Sequence, residues 1–203
     1  YLHDMYIENT GVYGVYPVRC TDVLIERIEG TLMNDAAIYA GKSENVVIRD
    51  TLTYGNVIGV ELENTVNGEV YNNVAHDNTI GIFIDLLPQL PSKVSMYTKV
   101  YDNVVENNNG ENFGKPGTAV SLIPPGTGML ILAADHVEVY NNTIRGNKTG
   151  GLAVFNLTIG FSSEEIDVGP NPEHTYAHDN IYENNGYDAD SFVKNMLGDG
   201  FDI

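Results

Sequence analysis

Short runs in which apolar and polar residues alternate recur along the chain at a nearly constant interval. Four runs that begin with a small residue lie at positions 14–16, 37–39, 59–61 and 81–83, which are 23, 22 and 22 residues apart. None has the spacing of three and four residues that marks one face of a helix, whereas alternation over a few residues is typical of strands. The pattern therefore predicts short strands separated by turns.

A nine-residue phrase returns four times, and its apolar positions also alternate. It occupies positions 70–78, 100–108, 139–147 and 177–185, with asparagine at its fourth and ninth places in every copy. A unit with fixed internal spacing is typical of a stacked solenoid, and a short period with two or three strands fits one coil of a parallel β-helix. We predict an all-β, single-stranded solenoid of about six to seven coils, each adding about 4.8 Å.

The asparagines are expected to hold the coils in register. Asparagine tolerates the left-handed backbone of a corner, and its amide can donate to and accept from the amides one coil away. Stacked in register, such residues form ladders. One predicted ladder comprises Asn73, Asn103, Asn142 and Asn180, and the other comprises Asn56, Asn78, Asn108, Asn147 and Asn185, with Asn34 as its first member. Two inward apolar columns are also predicted: Ile25, Ile48, Val70, Val100 and Val139, and Ile38, Val60 and Ile82.

Three segments interrupt the period, at residues 86–98, 109–127 and 156–173. Each is rich in proline or glycine and is predicted to be a loop. All three adjoin the same strand of the coil, following it in two cases and preceding it in the third. Loops on one edge of a rigid stack either build a binding cleft or cover apolar surface as a lid. The outward residues Leu130, Leu132 and Phe155 need such cover.

The composition restricts the partners and the chemistry. The chain has 203 residues and a formal net charge of -18, which would repel a phosphate backbone, so nucleic acid is not an expected partner. No apolar run reaches the roughly 18 residues of a membrane span. Cys20 is the single cysteine, which excludes an internal disulfide and a zinc–thiolate cluster. We expect one β-helix domain over residues 1–203, as a segment of a longer or processed chain.

The repeat resembles known families. Its Gly-Ile-x-apolar strand, followed by a V-x-V-x-[ND]-N turn, is similar to the right-handed β-helix repeats of the carbohydrate-binding and sugar-hydrolase superfamily, which includes mannuronan C5-epimerases and the periplasmic copper-site maturation protein NosD. The segments GVYPV (14–18), DAAIYAG (35–41), GVELEN (59–64) and PPGTG (124–128) resemble more closely a group of bacterial exported parallel β-helix repeat proteins with no established activity. This resemblance covers about residues 12–157 and implies a right-handed helix with an extracellular, periplasmic or cell-surface location.

The resemblance does not extend to a reaction. Alginate epimerases carry an Asp-Pro-His catalytic signature, and this sequence contains none. The repeat motif is specific for fold and not for function. Membership in the group without an assigned activity is therefore the better interpretation.

Glu61, Glu63 and Asp85 are the candidate catalytic residues. Because Val60 and Leu62 are predicted to point inward, Glu61 and Glu63 point outward, and Asp85 aligns with Glu63 one coil on, about 4.8 Å away. Carboxylates this close raise one another's pKa, share a cation or diverge into solvent. Three interpretations stay open: a solvated acidic face, a calcium site at Glu63 and Asp85, and acid/base catalysis at the roughly 5–9.5 Å carboxylate spacings of glycosidases.

The same outward row supplies a candidate ligand platform. Aromatic faces beside carboxylates suit the apolar face and the hydroxyls of a sugar. Arg19 and Lys42 align at the end of the strand and favour an anionic ligand, whereas a neutral sugar suits the acidic composition at least as well. The predicted ligand-binding residues are Tyr16, Arg19, Tyr39, Lys42, Glu61, Glu63, Phe83 and Asp85. A second outward row, Tyr71, Tyr101 and Tyr140 with His178, is interpreted as a stabilising ladder.

The sequence supports three functional hypotheses. The first is an exported or cell-surface module that interacts with a polysaccharide or oligosaccharide without a clear catalytic signature. The second is a polysaccharide lyase, epimerase or hydrolase that uses the acidic residues. The third is a structural component that stacks on another chain through the open ends of the helix, because residues 200–203 resemble the start of another coil. No cofactor is required by the sequence, and calcium is the open alternative.

Overall fold

The computed structural model describes residues 1–197 and consists almost entirely of short strands. The strands are β1 (Leu2–Glu8), β2 (Thr21–Thr31), β3 (Ala36–Gly41), β4 (Glu44–Arg49), β5 (Leu52–Tyr54), β6 (Ile58–Glu63), β7 (Val66–Tyr71), β8 (Val74–His76), β9 (Ile80–Asp85), β10 (Met96–Tyr101), β11 (Val104–Glu106), β12 (Thr127–Leu132), β13 (Asp135–Tyr140), β14 (Thr143–Arg145), β15 (Gly150–Phe155), β16 (Tyr176–His178) and β17 (Ile181–Glu183). Two 3₁₀ turns span Ala119–Leu122 and Leu157–Ile159, and helix α1 spans Ser191–Leu197. The predicted further coil at residues 200–203 lies outside the described residues.

The strands stack in parallel, one coil above another, as predicted. One face contains β1, β2, β4, β7, β10, β13 and β16, and the next contains the end of β2 with β5, β8, β11, β14 and β17. The third face is a five-stranded sheet, β3-β6-β9-β12-β15, which we call the site sheet. The first face therefore counts seven strands within the described residues, in agreement with the predicted six to seven coils.

Both predicted inward columns are confirmed. Ile25, Ile48, Val70, Val100 and Val139 follow one another in register, and their exposed fractions do not exceed 1%. Ile38, Val60 and Ile82 form the second column on the site sheet. The small residue at the start of each run has a packing role, because a Cβ added to Gly81 would lie 2.5 Å from Val105 Cγ1.

Both asparagine ladders are present, with one correction. The Nδ2 of Asn73 donates to Oδ1 of Asn103 (3.0 Å), and the Nδ2 of Asn103 donates to Oδ1 of Asn142 (2.9 Å). The prediction that Asn34 begins the second ladder is wrong. Asn56 Oδ1 accepts instead from the backbone N–H of Met33. This coil holds 23 residues rather than 22, so Asn34 lies one position beyond the place that a ladder residue would occupy. Asn34 is exposed.

The left-handed corner also sits one position away from its predicted place. Positive φ angles occur at Asn72, Asp102, Asn141 and Asp179, each directly before an asparagine of the first ladder. The first residue of each Asn-Asn or Asp-Asn pair therefore turns the corner, and the second forms the ladder. This division explains why only the second position is invariably asparagine, since aspartate also tolerates the left-handed region.

The three predicted insertions are loops, and all three adjoin the site sheet. Residues 86–95 follow β9, residues 107–126 precede β12, and residues 156–175 follow β15. We call them loop 1, loop 2 and loop 3. The segments predicted for loops 1 and 2 extended too far, because residues 96–98 belong to β10 and Thr127 belongs to β12. Helix α1, which the periodicity did not predict, buries Val193.

The aromatic row on the first face is a ladder, as predicted. The rings of Tyr71 and Tyr101 stack at 4.8 Å, those of Tyr101 and Tyr140 at 4.9 Å, and those of Tyr140 and His178 at 5.3 Å. This row lies away from the loops and stabilises the stack. Within residues 1–197, no helix is long and apolar enough to cross a membrane.

Candidate functional site

Two outward rows of side chains cross the site sheet beneath the loops. One row is Tyr39, Glu61, Phe83, Leu130 and Ala153, and the next is Gly41, Glu63, Asp85, Leu132 and Phe155. The apolar members need cover because they face away from the interior, and loop residues Ile123 and Leu157 pack with them into a second apolar cluster. The rows thus change from acidic to apolar along the stack.

Glu61, Glu63 and Asp85 converge in the acidic part of these rows, and we call them the acidic cluster. One carboxylate oxygen from each lies within 4.8 Å of the others. The exposed fractions of the three residues are 5%, 8% and 0%, respectively. The predicted alignment of Glu63 with Asp85 is therefore present, and the cluster is buried rather than solvated.

Several oxygens of the acidic cluster have no hydrogen-bond partner in the described part of the chain. They are Oε2 of Glu61 and both carboxylate oxygens of Asp85. A buried ionised group without partners is strongly unfavourable, so such a group normally binds a proton or a cation. The unpartnered oxygens of the cluster can therefore accept a proton or a cation.

Glu63 differs from its two neighbours because two side chains contact it. The hydroxyl of Tyr39 donates to Glu63 Oε1 at 2.5 Å, and Lys42 Nζ forms an ion pair with the same oxygen. Lys42 Nζ also donates to the Tyr39 hydroxyl at 2.8 Å. Gly41 makes this arrangement possible, because a Cβ there would lie 1.9 Å from the Tyr39 hydroxyl.

Burial changes the acidity of the groups around the cluster. Desolvation raises the pKa of Glu61 well above its usual value, and the charge of Asp85 adds to the effect. Desolvation and the charge of Glu63 likewise raise the pKa of Asp85. Burial raises the pKa of Asp35 to about 6, although a hydrogen bond from Tyr13 opposes the shift. Titratable groups with displaced pKa values are common at functional sites.

A cavity of about 880 Å³ lies between the site sheet and its loops. Glu61, Glu63 and Phe83 lie at its floor, and loops 2 and 3 form walls that include Ile123 and Phe161. Its volume falls within the roughly 300–1,000 Å³ that is typical of small-molecule sites. The loops therefore cover apolar surface and also form walls of a cavity, so features of both alternatives that the sequence left open are present.

The cavity contains only part of the predicted ligand platform. Asp85 and Tyr39 are buried on the site sheet but do not line the cavity, and Lys42 lies beside Tyr39. Tyr16 is 51% exposed and stacks on Tyr39 at 4.7 Å, so it extends the aromatic row outside the cavity. Arg19 aligns with Lys42 as predicted but is exposed at the edge of the sheet.

Other cavity residues were not predicted from the sequence. Tyr13 lies directly before the first of the periodic runs, Asp35 lies directly before β3, and Phe161 and Phe192 belong to loop 3 and α1. Only the aromatic character of Tyr13 could have indicated it, because its ring stacks on Tyr16 in the row already identified. The loop residues do not follow the periodicity of the repeat, so their position at the cavity depends on contacts between residues far apart in the sequence.

Side-chain contacts tether the loops to the sheet and to one another. Asn64 donates to the carbonyls of Leu87 (2.9 Å) and Ser92 (2.7 Å) and so holds loop 1. Asp167 of loop 3 accepts a hydrogen bond from the backbone N–H of Gln89 at 2.7 Å and forms an ion pair with Lys93 of loop 1. The cavity walls thus have defined positions.

Comparison with known proteins agrees with this architecture. The A-module of the mannuronan C-5 epimerase AlgE4 from Azotobacter vinelandii is similar in fold, with a TM-score of 0.53 and 17% identity over 92% of this chain and 44% of that chain. This chain therefore spans less than half the length of the epimerase module, and at such identity the likeness shows the fold alone. No curated protein sequence matches. The family described as "right handed beta helix region" matches residues 2–165, and the chain belongs to this family of right-handed β-helix proteins.

Proposed function

We propose that the protein binds a saccharide, as part of a polysaccharide or as an oligosaccharide, in the cavity between the site sheet and its loops. The observation that carries the proposal is the composition of this cavity, in which carboxyl groups of Glu61 and Glu63 adjoin the aromatic rings of Tyr13, Phe83 and Phe161. Aromatic rings pack against the apolar face of a sugar, and carboxylates accept hydrogen bonds from its hydroxyls. The fold neighbour, whose name describes an epimerase of a polysaccharide, adds support by analogy of fold only.

Saccharide binding can be tested with glycan arrays followed by calorimetry, with and without calcium. We expect at least one saccharide to bind, and Glu61→Gln to weaken its binding by about tenfold or more, because a hydrogen bond to a charged group contributes about 1.5–3 kcal/mol. Glu44→Gln is the matched control, since Glu44 is exposed on β4, on another face of the stack. Absence of any bound saccharide, or equal affinity in Glu61→Gln, would contradict the proposal.

A second candidate function is catalysis on such a saccharide, as a hydrolase, lyase or epimerase. It is favoured by the acidic cluster, where the raised pKa values of Glu61 and Asp85 suit a general acid, and Lys42 forms an ion pair with Glu63. Carboxyl groups about 5–5.5 Å apart occur in retaining glycosidases. Release of reducing ends or unsaturated products from a polysaccharide panel would support this function. Unchanged turnover in a Glu63→Ala, Asp85→Ala double variant would remove these residues from the mechanism.

The proposal includes a location outside the cytoplasm, in the periplasm, at the cell surface or in the medium. The strongly acidic composition and the single cysteine are compatible with such a location. Fractionation of the producing cells tests it, and recovery only in the cytoplasm would contradict it. Stacking on another chain through the ends of the helix remains a prediction, which size measurement in solution would test.

A further inference from the structure

The acidic cluster is not a general consequence of burying carboxylates in this chain. Glu26 on β2 is equally buried, and its oxygens accept from the Tyr1 hydroxyl and from both Arg27 and Arg49. Where the fold buries a carboxylate for structure, it thus surrounds that group with donors. Within residues 1–197, Oε2 of Glu61 and both carboxylate oxygens of Asp85 have no such donor, so these oxygens are available to a ligand.

The charges around the cluster leave a deficit of two positive charges. When ionised, Glu61, Glu63 and Asp85 carry three negative charges, and Lys42 is the cation in contact with them. Asp35 lies close enough to add further negative potential. One divalent cation would balance the cluster, and it would also bind the oxygens that have no partner.

The spacing of the carboxylate oxygens in the cluster is close to that around a calcium ion. Ca²⁺ binds six to eight oxygens at about 2.3–2.6 Å, so two ligands on opposite sides of one ion are roughly 4.6–5.2 Å apart. The three carboxylates present oxygens within 4.8 Å of one another. Tyr39 and Lys42 both contact Oε1 of Glu63, which leaves its Oε2 for a cation.

The donor atoms favour calcium over other common metals. The cluster offers carboxylate oxygens alone, which suit hard cations, and Mg²⁺ usually keeps several of its waters rather than entering a buried all-carboxylate site. Glu61 and Glu63 line the cavity, whereas Asp85 is fully buried beside Glu63 on the adjacent strand. An ion held between these three residues would keep coordination positions open towards the cavity, where water or a ligand oxygen can bind.

We propose that Glu61, Glu63 and Asp85 form a calcium-binding site at the floor of the cavity. The inference does not depend on the saccharide, because it rests on the carboxylates and not on the cavity walls. If a saccharide binds as well, its hydroxyl or carboxylate oxygens can complete the coordination of the ion.

The test is titration of the chelator-treated full chain with CaCl₂, followed by calorimetry and by thermal unfolding. We expect one saturable site with a dissociation constant of about 1 mM or lower, within the range of protein calcium sites. The unfolding midpoint should rise with calcium concentration, because the ion binds the folded state. Terbium luminescence excited through tyrosine gives a second readout, since Tyr39 contacts Glu63 directly.

Substitutions of the proposed ligand residues test where calcium binds. Asp85→Asn and Glu61→Gln should each weaken calcium binding at least about tenfold, the effect that loss of even an outer-shell partner has on metal affinity. Glu44→Gln should bind calcium as the unmodified chain does. Circular dichroism verifies that each variant is folded, and two variants are used so that one misfolded protein does not decide the result.

Two outcomes would overturn the calcium site. One is the absence of saturable calcium binding by the folded chain, and the other is binding that both Asp85→Asn and Glu61→Gln leave unchanged. Failure of the saccharide proposal is distinguishable from failure of the calcium site. Calcium binding without saccharide binding would support the ion site and contradict the saccharide proposal. Saccharide binding without calcium binding would support the cavity as a saccharide site and overturn the calcium site.

Discussion

The asparagine ladders and the acidic cluster both bury polar side chains, but they differ in how those groups are satisfied. Asn103 accepts from the backbone and side chain of Asn73 and donates to Val70 O and Asn142 Oδ1. The carboxylate oxygens of Asp85 have no partner in the described chain. Both residues are almost completely buried.

The difference separates polar groups that stabilise the fold from polar groups that are available for function. A buried polar group contributes little net stability when it is paired and costs about 1–3 kcal/mol when it is not. A satisfied ladder therefore specifies how the coils stack, whereas an unsatisfied cluster lowers stability unless something binds to it. Unpaired buried carboxylates persist in folded proteins mainly where they have a function.

The largest expected effect comes from breaking a ladder at its centre. Asn103→Ala removes four hydrogen bonds and leaves buried donors and acceptors on both neighbouring coils without partners. We expect the free energy of unfolding to fall by about 3 kcal/mol or more. Urea denaturation measures the change.

Asn34→Ala is the matched control for this variant. Asn34 was predicted to belong to a ladder, but it is exposed and Met33 occupies the corresponding position. Its substitution should change the free energy of unfolding by no more than about 0.5 kcal/mol. A similar cost for Asn34→Ala and Asn103→Ala would show that the ladders are not the source of the stability.

A somewhat smaller effect is expected from loosening the wall of the cavity. Leu157 of loop 3 is fully buried against the apolar part of the site sheet, and Leu157→Ala should cost about 2–4 kcal/mol. Leu122→Ala in loop 2 is the control, because Leu122 is exposed and should contribute little. If the two variants unfold at the same urea concentration, loop 3 does not cover the sheet as described.

The smallest effect should come from the surface link between loops 1 and 3. Hydrogen bonds from Gln89 and Lys93 lower the pKa of Asp167, so the link is present at neutral pH and is lost as the pH falls through this lowered value. Asp167→Ala should speed proteolysis or hydrogen exchange in residues 86–95 while leaving global stability nearly unchanged. Glu164→Ala is the control, and equal exchange in the two variants would exclude a role for the link.

The sequence predicted the repetitive part of the molecule well because every coil repeats the same local chemistry. The position of a residue within the repeat is enough to identify the inward column that contains Ile48 and the ladder that contains Asn103. The error at Asn34 arose where one coil gains a residue, since a single insertion moves an asparagine out of register. Which residue turns the corner was also ambiguous, because the pairs Asn72-Asn73 and Asn141-Asn142 look alike at both positions.

The candidate site was only partly predictable. The register brought Glu63 beside Asp85, because adjacent strands in a β-helix repeat their alignment. Their burial was not predictable, since the loops beside the site sheet have no periodicity. Helix α1 and the approach of Phe161 to the cavity likewise depend on contacts between residues far apart in the sequence.

The stability of Asp85→Asn in the absence of divalent cations tests most directly whether the acidic cluster is a ligand site rather than a structural element. The substitution keeps the shape of the side chain and removes its charge. We predict that the chelator-treated variant unfolds at a higher urea concentration than the unmodified chain, with a gain on the order of 1 kcal/mol, because the buried carboxylate has no hydrogen-bond partner among residues 1–197. A lower unfolding concentration for Asp85→Asn would contradict the account, since it would mean that the carboxylate stabilises the fold as the ladder asparagines do.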